Sequence, residues 1–305
     1  MRLWSAIPIL NSTRQTLALA IVMAAHPPQA GPPKVRPAEL DALSQRACAL
    51  RDRAQYREAE RLLLQGVALA EQGCQCCERR LCSFENELGI LYKYAGRFDE
   101  AEHAYHRALA IASQANGSSD PAMLANLYHN LGGLEHARQH YAAAEPFARR
   151  AVAIRESLLG PGHPEVAADL AALAPVLDGE GKRQEAAAMM FRALGILEHA
   201  YGPDNCQLPV TLNNLAALRY REGNRTDALD LYRRALAIKE RCLGSEHPDV
   251  ATTLNNMAVL LKAQGDRDGA ARLYGRALAI YEKSLGAEHP NTIACRENYA
   301  RLTGH

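Results

Sequence analysis

The sequence predicts an all-α solenoid of about six helical hairpins, closed by a lone capping helix at its C-terminal end. Three observations carry that reading. LPVTLNNLAALRYREGNRTDALDLYRRALAIKERCLGSEHP, from Leu208 to Pro248, returns 42 residues later as VATTLNNMAVLLKAQGDRDGAARLYGRALAIYEKSLGAEHP. Ala59, Ala101, Ala144, Ala186, Ala228 and Ala270 mark the same point of successive units at steps of 42, 43, 42, 42 and 42. The chain is 48% apolar but only 6% aromatic, so its interior is filled mainly by Ala and Leu. A hairpin with apolar positions on several sides cannot bury them alone, whereas copies in a row cover one another.

The first stretch, residues 1–37, differs from the rest. Arg2 and Arg14 precede an apolar run from Leu17 to Ala25, and Pro27, Pro28, Pro32 and Pro33 then break any helix. The run is too short to span a bilayer. A secretory signal cut between Ala24 and Ala30 is favoured over a disordered, Pro-rich cytosolic N-terminus, so a periplasmic or secreted protein is favoured over a cytoplasmic one.

Residues 38–305 hold the repeats, with hairpins near 40–74, 82–116, 125–160, 167–202, 208–244 and 250–286, and the capping helix near 290–303. Each hairpin is justified as the fifth is. Leu212, Leu215, Ala216 and Leu218 recur at helical spacing, and Ala228, Leu231, Tyr232, Ala235, Leu236 and Ile238 do so again after Gly223. Gly223 ends the first helix, and Thr226 is placed to cap the second. Gly244 ends that helix, and Pro248 suits the first turn of the next. The first unit lacks the LNN and HP features and reads as the N-terminal cap. In the fourth, Pro175 falls inside the first helix, where a local bend is expected. Gly132 and Gly133, also within a helix, read as close helix packing.

The spacing of Leu215, Ala216, Gly223, Ala228, Tyr232 and Ala235 resembles the tetratricopeptide (TPR) pattern, and the 42-residue version with LNNLA, RALAI and LGxxHP is similar to its kinesin light chain subgroup. The resemblance implies a right-handed superhelix whose concave face is lined by the first helices and binds peptides. It places Asn130, Asn214, Asn256 and Asn298 in the groove, where an amide that both donates and accepts suits the backbone of an extended peptide. Unit four has Ala172 at that position. One step back lie Asn86, His129, Asn213 and Asn255, for which bonds between adjacent repeats are the competing reading. A turn further on, Lys93, His136, Tyr220, Arg221, Lys262 and Arg301 face the groove and would favour acidic peptides, although solvated surface charge explains them equally well. Ala217, Val259 and Ala263 stand where carboxylate-clamp relatives carry basic residues, which is a departure from that pattern.

His163, His247 and His289, with Asn205 in the fifth unit, read as loop and cap residues, because a 42-residue step holds successive sites too far apart to share an ion. Cys74, Cys76, Cys77 and Cys82 crowd one loop. Disulfides are favoured there over zinc if the chain is exported. Cys206 and Cys242 flank the fifth hairpin and form a candidate bridge, while Cys48 and Cys295 read as small buried residues. Thirty-five basic residues balance thirty-four acidic ones, which gives no case for nucleic acid or an anionic membrane as partner. No nucleophile, metal-protease or phosphate-loop motif appears, and no cofactor is called for. The sequence therefore points to a non-catalytic scaffold holding a protein or peptide in its groove, with self-association through its ends or convex face as the alternative.

Overall fold

The computed structural model describes residues 36–72, 78–114 and 120–304. Among them thirteen helices follow one another without a strand: α1 Pro37–Asp52, α2 Tyr56–Glu71, α3 Glu78–Tyr94, α4 Phe98–Gln114, α5 Pro121–Ala137, α6 Tyr141–Leu159, α7 Pro164–Gly179, α8 Arg183–Tyr201, α9 Leu208–Arg221, α10 Arg225–Leu243, α11 Pro248–Gln264, α12 Arg267–Leu285 and α13 Pro290–Thr303. Odd and even helices pair as hairpins, and each even helix then packs on the next odd one. The result is an all-α repeat solenoid.

Helix starts follow from the connectors. His163, His247 and His289 each turn Nδ1 back to accept from the backbone N–H two residues on, of Glu165 at 3.3 Å, Asp249 at 3.1 Å and Asn291 at 3.2 Å. Pro occupies the next position, where its missing N–H costs nothing. Helices α5 and α7 accordingly begin at Pro121 and Pro164, a few residues before the apolar pattern alone places them. At α10 the cap is Asn224, whose side chain accepts from Asp227 N at 3.4 Å; Thr226 lies one turn position too late to do so. Gly160, Gly202, Gly244 and Gly286 close the second helices with φ between 85° and 89° and ψ near 155–165°. That region is open essentially to Gly alone, which fixes Gly at these four sites.

The arginine of the recurring RALAI segment binds one repeat to the one before. Arg192, Arg234 and Arg276 each bond a glutamate near the end of the preceding second helix, Glu156, Glu198 and Glu240. Each also donates to a connector carbonyl, of Pro161, Pro203 and Ser245. Exposed pairs of this kind contribute little singly, and repetition along the edge sets the register. Aromatic rings fill notches left by Gly: a Cβ on Gly66 would overlap Phe84, and one on Gly89 would overlap Tyr105. Gly132 lets α5 close onto the α6 backbone at Ala148, whereas Gly133 meets only Lys93 Nζ. First helices also touch one another, α1 with α3, α3 with α5 and α5 with α7, while no two second helices pack comparably. Elements on the inner side of a curved row crowd together, so from α1 to α7 the first helices line the concave face.

Candidate functional site

Along that inner face the repeat sets three columns. The first contains the residues one step back from the amide row, and these tie repeats together. His129 Nδ1 lies 2.7 Å from Asp169 Oδ1, and Asn213 Nδ2 donates to Thr253 Oγ1 at 3.0 Å, each reaching the same position of the following repeat. For Asn255 that position is Cys295, and Asn255 Oδ1 is left buried without a hydrogen-bond partner. In unit four the column holds Ala171, too short to reach anything.

The second column is the amide row itself. Asn130 donates to Asn86 Oδ1 at 2.8 Å, so it is engaged with the preceding repeat. Asn214 is exposed and Asn256 and Asn298 are half-buried. No side-chain hydrogen bond joins these three to any described residue. Between this row and the third column runs a strip of small or apolar positions, Ile90, Gly133, Pro175, Ala217 and Val259. Helix α7 continues through Pro175, which offers no N–H to the Ala171 carbonyl. Beside it a crevice of about 200 Å³ opens between α7 and α9, lined by Ala171, Pro175, Met190, Asn214, Ala217 and Arg221 among others.

The third column carries charge. Lys93 is half-buried with no carboxylate of the described residues in ion-pair reach, and burial holds its ammonium below the usual lysine range. His136 is likewise held low, first by burial and then by the charge of Lys93. Asp178 occupies this column in unit four and pairs with Arg221 at 2.7 Å, so Arg221 is already neutralised. The sequence reading passed over Asp178, although it stands one repeat from both His136 and Tyr220. Tyr220 is half-buried and Lys262 exposed.

A second cluster was not foreseen. Asp169 is 2% exposed and sits where neighbouring repeats carry Leu127, Thr211 and Thr253. Buried Arg155 donates to Asp169 Oδ2 at 2.9 Å, to Glu165 Oε2 at 3.0 Å and to Asn126 Oδ1 at 2.9 Å. The quartet holds His129 through its Nδ1, with the side chain 38% exposed.

Cys206 Sγ and Cys242 Sγ lie at bonding distance, 2.05 Å, with Cα atoms 6.0 Å apart. Cys82 departs from the expectation: it is buried, unbridged, and directs its thiol to the Ala108 carbonyl at 3.3 Å, because it lies on the core face of α3 rather than in the loop. Cys74, Cys76 and Cys77 lie outside the described residues. Cys48 is half-buried, with its thiol toward Glu87, and Cys295 is buried; both thiols are pushed up to about 11, chiefly by burial. Among the described residues no three His, Cys, Asp or Glu side chains are grouped to hold a metal, and no helix is long and apolar enough to cross a membrane.

Tetratricopeptide-repeat family models match residues 40–74, 80–157, 123–199 and 207–283, nearly the whole repeat array. The chain belongs to the tetratricopeptide repeat family. Comparison with curated protein sequences gives no match. Among solved structures it is similar to a putative kinesin light chain with nearly identical TPR-like repeats from Podosopora anserina, at 26% identity and a TM-score of 0.59, over 68% of this chain and 97% of that one. BtubC (BKLC) from P. vanneervenii shares the fold at 24% identity and a TM-score of 0.62, over 82% and 94%. PilW, a type IV pilus biogenesis factor, does so at 16% identity and 0.61, over 85% and 99%. TPR proteins generally mediate contacts between proteins, and a protein partner is the general expectation for this one.

Proposed function

We propose that the chain is a non-catalytic scaffold that holds an extended peptide segment of a protein partner along its first helices. The observation that supports this most is the contrast between the two Asn columns. His129 and Asn213 are taken up by bonds between repeats, and Asn130 by Asn86, while the side chains of Asn214, Asn256 and Asn298 make no hydrogen bond to any described residue. A peptide backbone offers both partners at regular spacing. Lys93 and Lys262, neither in an ion pair with a described residue, belong to the third column of the first helices and favour acidic residues in the ligand, through charge-assisted hydrogen bonds. The bonded pair Cys206 and Cys242 favours an oxidising, exported location for the protein.

The test uses peptides selected on the immobilised protein from a random display library. Changing Asn214 and Asn256 together to Ala should weaken the selected peptides at least about tenfold while the far-ultraviolet circular dichroism stays unchanged. Undiminished capture by that variant would reject the groove reading.

A further inference from the structure

Beside Pro175 several positions of the repeat become small together. Helix α5 packs on α7, but α7 and α9 do not approach each other in that way, and neither do α9 and α11. At the α9 and α11 step the inner positions carry Asn213, Tyr232 and Val259, and Tyr232 packs with Ala216 and Leu260. One repeat earlier the matching residues are Ala171, Met190 and Ala217, each smaller than its counterpart. The crevice of about 200 Å³ is what these three reductions leave.

Its chemistry is apolar and its charge is balanced. Ala171 and Ala217 are half-buried and Pro175 is exposed, so these three form the accessible walls, and buried Ala174, Met190 and Leu218 close the crevice behind them. Arg221, the charged residue of the lining, is paired with Asp178 at 2.7 Å. Asn214 also belongs to the lining, and its exposed amide bonds to no described side chain. On the α7 side the amide row is interrupted by Ala172, so that lip offers a peptide backbone no hydrogen bond and only apolar surface. A free amide on one lip and apolar walls on the other suit one residue of an extended chain, main chain on Asn214 and side chain turned inward.

We infer that this crevice is an anchor pocket that takes one apolar side chain of about leucine size from the partner's segment, with Asn214 holding the main chain beside it. The inference rests on the groove reading above and adds which side chain the groove selects, and where. An apolar side chain leaves water on entering and covers Ala171, Pro175 and Ala217, whereas a charged one would lose its hydration and meet no free opposite charge. The anchor also sets register. Asn214 and Asn256 are alike and bond any peptide unit, so only a side-chain pocket distinguishes one alignment of the segment from the next.

The experiment selects peptides from a random display library on the immobilised full chain. It then compares the wild type with Ala217→Val and with the double variant Ala171→Asn, Ala217→Val, which copies the next unit. Both should fold, since an Asn at 171 has Thr211 to bond where Asn213 has Thr253; circular dichroism checks this. The wild-type peptides are expected to share a leucine, isoleucine or methionine at one position, and changing that residue to Ala should weaken binding at least about tenfold. The double variant should bind the parent peptide at least about tenfold more weakly and be nearly indifferent to the same Ala change. The single variant should move in the same direction. Parent peptides bound equally by wild type and both filled variants, yet lost by the Asn214→Ala, Asn256→Ala protein, would overturn the pocket and leave the groove reading standing. Selected peptides with a charged residue, or no preference, at every position would overturn it as well. Undiminished capture by the Asn variant rejects both readings together.

Discussion

Asp169 and Arg155 show how one residue type out of pattern reshapes its surroundings. Leu, Thr and Thr stand at the Asp169 position in neighbouring repeats, so the carboxylate exists for its partners and not for the fold. Removing one member of a buried pair strands the other, at a cost of about 3–5 kcal/mol, whereas replacing both with apolar residues is often neutral. Asp169→Ala is therefore expected to lower the urea midpoint sharply, and Asp169→Leu combined with Arg155→Met to recover most of the loss; a double variant as unstable as the single would show the pair is needed for packing itself. His136 gives a pH signature. Its folded value lies below the ordinary 6.5, so as pH falls through 6.5 the unfolded chain takes up the proton first and native stability declines, levelling off once the folded imidazole also protonates. Wild type should lose more stability between about pH 7 and pH 5 than His136→Gln. Equal slopes for the two proteins would remove His136 from the account. Neither Asp169 nor Asp178 was picked out in the sequence, because each breaks its column in one repeat only, and their partners lie 5 to 43 residues away in chain order.

At the scale of the element, helix type, number and order were legible because a 42-residue self-similarity repeats the same apolar period many times. Caps and boundaries were less so. Asn224 and Thr226 are both good capping residues two positions apart, and only the turn after Gly223 decides that Asn224 bears the cap. Connector glycines were visible as stops, but their backbone region was not. Gly244 sits at φ 85° and ψ 156°, where a side chain costs about 1–3 kcal/mol. Gly244→Ala should reduce thermal stability by that order, although a Cβ there has nothing within 4 Å to strike. A neutral substitution would show that the connector relaxes to another conformation. Pro175 was legible as an exception, and the crevice beside it follows from Ala171 and Pro175 coinciding in one repeat.

For the whole molecule, the array is held by nearest-neighbour contacts, so its stability is close to a sum over hairpins and the interfaces between them. Cys206 and Cys242 close a loop of 36 residues within this array, and such a link stabilises by at most about 4 kcal/mol through the unfolded chain. Reductant should lower the melting temperature of wild type and leave a Cys206→Ser, Cys242→Ser double variant unaffected. An identical response from the two proteins would mean the bridge plays no part in stability. The groove was legible as a place, since first helices face inward in every repeat of this kind. Its occupancy by internal bonds was legible only as a competing reading, because whether an Asn serves the fold or a guest depends on what stands 40 residues further along, Thr253 for Asn213 and Leu254 for Asn214. The most direct measurement is a crystal structure of the chain with a display-selected peptide. The account predicts peptide backbone within hydrogen-bond reach of the Asn214 and Asn256 amides, running across first helices α9 and α11. A peptide seated on the second helices, with both amides still facing water, would contradict it.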